Sequence, residues 1–279
     1  MIHTSDQVEL DQFLSTVAQA PLSALLLDYD GTLAPFSTDR QQAAPYPGVT
    51  PLLQKIMASL RTCVVIITGR NAREIIPLLG IHPSPEIWGC HGLERIKPGG
   101  TCETSRLGET VLQALSEADH WLAYQGLRHL AEFKNGAVAV HWRGLAELAA
   151  AEVRDRVLLG WLPIAQRGRM ELLEFDGGVE MRTPDPDKGD AVRTILDEIG
   201  PGVPTAYLGD DVTDEAAFRA LRRRGLSVLV RPEWRKTAAD LWLTPPDGLL
   251  DFLQRWLQAC SGDMEHSTDG ALRFKMGGA

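Results

Sequence analysis

Three short apolar runs punctuate the chain, and each breaks off in a small polar cluster. Leu25, Leu26 and Leu27 lead into Asp28, Tyr29, Asp30 and Gly31, and Cys63, Val64, Val65, Ile66 and Ile67 lead into Thr68, Gly69 and Arg70. Thr205, Ala206, Tyr207 and Leu208 lead into Gly209, Asp210 and Asp211. Runs this short, with no alternation, predict strands covered on both faces, as in parallel sheets. Between and around them the apolar spacing is helical. Val8, Leu10, Phe13, Leu14 and Val17 fall on one stripe before the first strand, and helices are expected over 50–60, 188–199 and 214–224, the last stopped by Gly225. Further strands over 227–230 and near Leu241, then a helix over 249–257, complete this part. Strand–helix–strand order makes the strands parallel, so their polar ends emerge at one edge, where open α/β sheets place their sites.

The middle of the chain follows another rhythm. A helix over 109–124 precedes two extended arms joined by Asn135 and Gly136, a strong short-range hairpin signal. With those two residues as the loop, Lys134 faces Ala137, Phe133 faces Val138 and Glu132 faces Ala139. One face then carries Glu132, Lys134, His141 and Arg143, and the other Ala131, Phe133, Val138, Val140 and Trp142. A helix over 145–159 leads to a second pair, 170–175 and 179–183, turning at Asp176, Gly177 and Gly178, with Glu180 and Arg182 on a common face in any register. We therefore expect an inserted antiparallel α+β module over 105–182, a core built from 1–104 and 183–260, and a disordered polar tail over 261–279. Near Ile87, Trp88 and Gly89 a short strand gives way to a glycine-framed turn around His91, which by itself reads as a structural histidine.

Composition narrows the classes. At 279 residues, with 44% hydrophobic and 23% charged positions, the chain is that of an ordinary globular protein. A net charge of −9 argues against nucleic-acid partners and anionic membranes, and no apolar run approaches the roughly 18–20 residues that span a bilayer. No basic segment runs into an apolar one near the start, and Cys63, Cys90, Cys102 and Cys260 are scattered. Free thiols in a reducing cytoplasm are the expectation.

The chemistry gathers at the strand ends. Asp28 and Asp30 leave their strand on the same side, because side chains alternate along an extended chain. Buried acids are costly unless a cation, a proton or a reaction needs them. Thr68, Lys188 and the Asp210, Asp211, Asp214 group share the predicted edge. Taken singly each has a plain reading: a turn, a helix cap, a solvated lysine, acids favouring a helix dipole. Taken together they call for a common purpose.

The set D-x-D-G-T, a threonine, a lysine and G-D-D-x-x-D resembles the haloacid-dehalogenase-like phosphatase superfamily. Gly89 to Glu94, Glu132-x-Lys134, His141 to Arg143, Glu180 to Arg182, Lys188 to Val192 and Gly209 to Glu215 are similar, within it, to the trehalose-phosphate phosphatases. Two positions depart from that pattern: Trp142 stands where tyrosine is more usual, and 183–187 matches less closely. The resemblance implies an α/β fold with a Rossmann-like (Rossmannoid) parallel core, helices on both faces, and a cap of the C2B type. It implies Asp28 as nucleophile, Asp30 as general acid and then base, and Thr68 and Lys188 on the phosphoryl oxygens. Mg²⁺ is the implied cofactor, held by Asp28, the Asp30 carbonyl and Asp210, with Asp211 and Asp214 as ligands or their neighbours. Gly69, Arg70, His91, Glu132, Lys134, His141, Arg143, Glu180 and Arg182 are the implied contacts of a sugar phosphate. A separate trehalose-phosphate synthase is the implied functional partner. Two readings stay open beside it: a phosphatase of another sugar phosphate, such as glucosylglycerate or sucrose phosphate, and a non-catalytic sugar-phosphate sensor.

Overall fold

The computed structural model describes residues 4–37, 40–175 and 177–261. The expected tail beyond Ser261 and the turn residue Asp176 lie outside them. Helix α1 (Thr4–Gln19) leads into β1 (Ser23–Leu27), buried along its whole length. Then come α2 (Val49–Ala58), β2 (Thr62–Ile67), α3 (Ala72–Leu79), β3 (Glu86–Gly89), β4 (Glu94–Ile96) and β5 (Cys102–Thr104). After an intervening module follow α6 (Lys188–Ile199), β10 (Thr205–Gly209), α7 (Glu215–Leu221), β11 (Leu226–Val230), β12 (Leu241–Leu243) and α8 (Asp247–Ser261). Among the described residues these strands form one sheet in the order β12-β11-β10-β1-β2-β3-β4-β5. The pairs from β12 to β3 are parallel, as expected, whereas β4 and β5 extend the sheet antiparallel.

Alternation along β1 sends its side chains to two cores. Leu25 and Leu27 pack with α1, α2, α3 and α8, through Leu10, Leu53, Ile75 and Trp256 among others. Leu26 points the other way, to Val192, Ile195 and Phe218 of α6 and α7. Burial on both faces is why the run shows no polar alternation. Three features escape the sequence pattern. β4 and β5 are short and mostly polar, with Glu94, Arg95, Glu103 and Thr104, so no apolar run marks them. Pro77 inside α3 reads as a breaker. Helix α7 stops at Leu221, short of the expected glycine stop.

The intervening module comprises α4 (Glu109–Gln125), β6 (Ala131–Lys134), β7 (Ala137–His141), α5 (Glu147–Gly168), β8 (Glu171–Phe175) and β9 (Gly178–Arg182). Its strands form a separate antiparallel sheet, β6-β7-β9-β8. The hairpin register matches the expectation: Glu132 opposite Ala139, Phe133 opposite Val138, Lys134 opposite Ala137. Gly136 takes the left-handed φ of 75° that this turn needs. A Cβ there would fall 2.3 Å from Leu93, so the hairpin tip rests directly on the larger sheet's side of the molecule. Val138, Val140, Val179 and Met181 pack beneath α4 and α5 around Trp161. Phe133, expected in that core, is 43% exposed, because β6 is the edge strand and the helices do not reach over it. Helix α5 continues past the expected end to Gly168, with Pro163 inside it. Among the described residues no helix is long and apolar enough to cross a membrane, and the four cysteines are unpaired.

Candidate active site

The parallel strand order delivers the acids side by side. β1 lies between β10 and β2, so Asp28, Asp210 and Thr68 leave neighbouring strands at one edge. Lys188, the first residue of α6, arrives there because Asp187 caps that helix. The Asp187 carboxylate accepts from the Asp190 N–H at 2.9 Å while Asp190 accepts from the Asp187 N–H at 3.0 Å. Lys188 is 2% exposed and Asp28 3%. Lys188 Nζ donates to Asp28 Oδ1 and to Asp214 Oδ1, both at 2.7 Å. Thr32, four residues on from Asp28, donates to its Oδ2 at 3.1 Å.

These charges are unbalanced. Burial pushes the Asp28 carboxyl up to about 7, with Asp214 and Asp30 adding to the rise and Lys188 only partly opposing it. Burial and then the Asp28 and Asp214 charges push Asp210 well above its ordinary range. For Asp214, burial also raises the carboxyl, but Lys188 and the hydrogen bonds from Lys188 and Tyr207 outweigh it and hold it low. Ligand oxygens of Asp28, Asp210 and Asp214 lie within 4.8 Å of one another, a cluster able to hold a metal ion.

Hydrogen bonding sorts the cluster. Both Asp214 oxygens are engaged: Oδ1 by Lys188 and by the Tyr207 hydroxyl at 2.6 Å, Oδ2 by the N–H groups of Asp210 and Asp211 at 3.0 and 2.9 Å. The Asp211 carboxylate accepts from the Val212 N–H at 2.7 Å. Asp210 Oδ2 is buried and without a partner. An oxygen-only cluster with one orphaned carboxylate oxygen and a surplus of negative charge fits a hard divalent cation such as Mg²⁺. Gly31 makes room for it: with φ 83°, any Cβ there would fall 2.1 Å from Asp210 Oδ2.

A cleft of about 450 Å³ opens between the two sheets. Asp28, Asp30, Thr68, Lys188 and Asp210 line its floor, and Glu132, Lys134, His141, Arg143 and Glu180 its roof. Lys134 Nζ donates to Glu180 Oε1 at 2.6 Å and stands 3.8 Å from Glu132, whose Oε2 bonds His141 Nε2 at 2.9 Å. From the floor, His91 Nε2 reaches Glu180 Oε2 at 3.0 Å, with its ring over Gly69. Burial, helped by Arg182 and Lys134, lowers His91 to about 4 against the pull of Glu180. The neutral ring therefore donates through Nε2. Burial would raise Glu180, but Lys134 and His91 outweigh it and hold that carboxylate well below its usual range.

The cleft thus gathers Asp28, Asp30, Thr68, Gly69, Arg70, His91, Glu132, Lys134, His141, Arg143, Glu180, Lys188, Asp210 and Asp211. Arg182 shares their sheet face but is paired to Glu171 at 3.3 Å and does not line the cleft, and Asp214 lies beneath it. Phe36, His129 and Phe175 line it too, and the Arg143 guanidinium sits 4.7 Å over the Phe36 ring. Nothing in their sequence spacing marked them. Thr32 and Tyr207 were readable in principle, since one lies within the D-x-D-G-T run and the other alternates toward the acids on β10.

The model of the trehalose-phosphatase family matches residues 26–243, from within β1 through β12, a span that holds every cleft residue just named but not α1 or α8. The chain belongs to this family. The trehalose-phosphate phosphatase of Mycobacterium leprae is 33% identical over 257 residues, an alignment covering 83% of this chain and 57% of that protein. The chain therefore spans little more than half the length of that relative. The C-terminal domain of a C. albicans trehalose-6-phosphate phosphatase superposes with a TM-score of 0.75 at 20% identity, covering 89% of this chain and 96% of that one. A haloacid dehalogenase-like hydrolase from Bacteroides thetaiotaomicron gives a TM-score of 0.58 at 15% identity, over 84% of this chain and 99% of that one. The fold is that of the haloacid-dehalogenase-like proteins.

Proposed function

We propose that the chain is a phosphoric monoester hydrolase that releases trehalose and inorganic phosphate from trehalose 6-phosphate. One observation carries the reading: a buried carboxylate, Asp28, sits against Lys188 and Asp210 on the floor of a cleft roofed by Glu132, Lys134 and Glu180. The family membership and the names of the relatives support the sugar.

In this reading an Asp28 oxygen attacks phosphorus and the bond to the sugar oxygen breaks, with Asp30 giving its proton to the leaving alkoxide. Asp30 then takes a proton from water as that water attacks the aspartyl phosphate, returning Asp28 and releasing phosphate. Lys188 and Thr68 hold the phosphoryl oxygens, so catalysis rests on positioning and charge neutralisation. Asp28 and Asp210 hold Mg²⁺, with Asp214 orienting the loop behind them. When bound, the cation lowers the negative charge around Asp28 and polarises the phosphoryl group. Residues 105–182 act as a cap over a core of 1–104 and 183–260, and their polar sheet face hydrogen-bonds sugar hydroxyls while excluding water. The unpaired cysteines support a cytoplasmic setting, and a separate synthase as supplier of substrate belongs to the same reading.

A phosphate-release screen over a dozen sugar phosphates with Mg²⁺ tests it. Trehalose 6-phosphate should exceed the others in kcat/KM by about tenfold or more, the low end of what pocket contacts discriminate. Preference for glucosylglycerate or sucrose phosphate would reassign the substrate, and absence of turnover on all would leave a sensor.

A further inference from the structure

The loop after β11 sends Arg235 back beneath the turn that carries Asp210. Its Nη2 donates to the Asp211 carbonyl at 2.7 Å and its Nε to the Asp210 carbonyl at 3.2 Å. Nη1 is anchored on Glu215 Oε1 at 2.5 Å. Glu215 is itself fixed by the Thr237 hydroxyl at 2.8 Å and the Ala238 N–H at 2.9 Å, so the whole brace is built within one loop and one helix start. On the opposite side of the turn, the N–H groups of the same two residues donate to Asp214 Oδ2. Two successive residues are thus gripped by both their donors and their acceptors. Between these grips hangs the Asp210 side chain, with its buried, unpartnered Oδ2 beside Gly31.

We propose that Arg235 is a positioning residue for cation binding: by fixing the carbonyls of Asp210 and Asp211 it holds the Asp210 carboxylate toward Asp28 before a cation arrives. The proposal rests on the reading of Asp28 and Asp210 as ligands. A planar guanidinium can reach both carbonyls and Glu215 at once, whereas an ammonium on a flexible stem offers its donors from a single point. Charge alone acts in the other direction, because removing a cation near the acids would strengthen metal binding. That term is small here, since the Arg235 charge is paired with Glu215 and is partly solvated. Position and charge therefore predict opposite signs.

The test is Mn²⁺ binding to the metal-stripped full chain, read from the electron paramagnetic resonance signal of the free ion, with Mg²⁺ competition. Groups that orient metal ligands are worth about 10- to 100-fold in affinity. Arg235→Met should raise the Mn²⁺ Kd by about tenfold or more, with kcat at saturating Mg²⁺ changed much less. Arg235→Lys keeps the charge but loses the fork, and should also weaken binding. Melting in EDTA establishes that the variants are folded, and if Arg235→Met is not, Arg235→Lys carries the comparison. Unchanged or tighter Mn²⁺ binding in a folded variant overturns the proposal. Absence of Mn²⁺ binding by the unaltered protein overturns instead the cation site on which it rests.

Discussion

Arg70 grips the Asp30 carboxylate with two parallel hydrogen bonds, Nε to Oδ2 and Nη2 to Oδ1, both at 2.6 Å. Such forked pairs fix orientation as well as charge. The arginine is 3% exposed and its partner 29%, so a buried cation anchors a more exposed carboxylate on the cleft floor. Asp28 and Asp30 are separated by one residue, yet each has its own cation, Lys188 for one and Arg70 for the other. That division is in keeping with the separate roles proposed for the two acids. If Arg70 aims Asp30 at the leaving oxygen, Arg70→Ala should lower kcat on the sugar phosphate by about tenfold, a part of the range that general acid–base catalysis supplies. p-Nitrophenyl phosphate, whose leaving group needs no proton, should lose less. Equal losses would assign Arg70 to the architecture of the cleft.

Asp28→Asn keeps the shape and removes the nucleophile. Turnover should fall by roughly 10⁴-fold or more, since losing a covalent step is not made good by the remaining residues. Initial rates with saturating Mg²⁺ measure it, and full turnover would end the aspartyl-phosphate reading.

Lys134 joins Glu180 to Glu132 across the smaller sheet, with its side chain only 8% exposed. Lys134→Ala leaves Glu180 with His91 alone and removes a donor from the roof. For the disaccharide phosphate, kcat/KM should drop by about 100-fold, within the 2–5 kcal/mol that truncating one member of a buried pair costs. For p-nitrophenyl phosphate, too small to reach the roof, the change should stay within a few fold. Matched losses on both substrates would sink the assignment of the cap to sugar recognition.

His91 makes stability fall in mild acid. Its pKa drops from 6.5 to about 4 on folding, burial being the main cause. Between those values the unfolded chain takes up a proton at His91 that the folded chain refuses, so the His91 contribution to stability declines as pH falls from about 6.5 toward 4. Completed, the loss amounts to about 3 kcal/mol. Glu180, held below its ordinary 4.5, adds its own loss once pH drops through that region. Burial raises Asp28 to about 7 and Asp210 well above its usual range, so these carboxyls gain protons on folding in the same window and act with the opposite sign. The His91 contribution is therefore read as a difference: between about pH 7 and 4.5 the unaltered protein should lose melting temperature relative to His91→Asn. An unchanged slope in that variant would place the acid sensitivity elsewhere.

What the chain determined locally is legible in its sequence alone. Burial on both faces leaves Leu25, Leu26 and Leu27 without polar alternation, and that marks β1 as a central parallel strand. Strict period two, with Asn135 and Gly136 as the turn, set the hairpin register and so put Glu132 and Lys134 on one face. Parallel connection then sent Asp28, Thr68 and Asp210 to a single edge. All of this depends on near neighbours along the chain or on strand alternation. Which oxygen is free depends on partners far away in sequence. Asp214 is saturated by Lys188 and Tyr207 while Asp210 Oδ2 stays open, and Arg182 is drawn to Glu171 although it shares the face of Glu180. Arg235 reaches the Asp210 turn from another loop altogether. Tertiary structure alone decided these, because hydrogen-bond saturation in a buried cluster is settled by whichever donors the folded chain brings within about 3 Å.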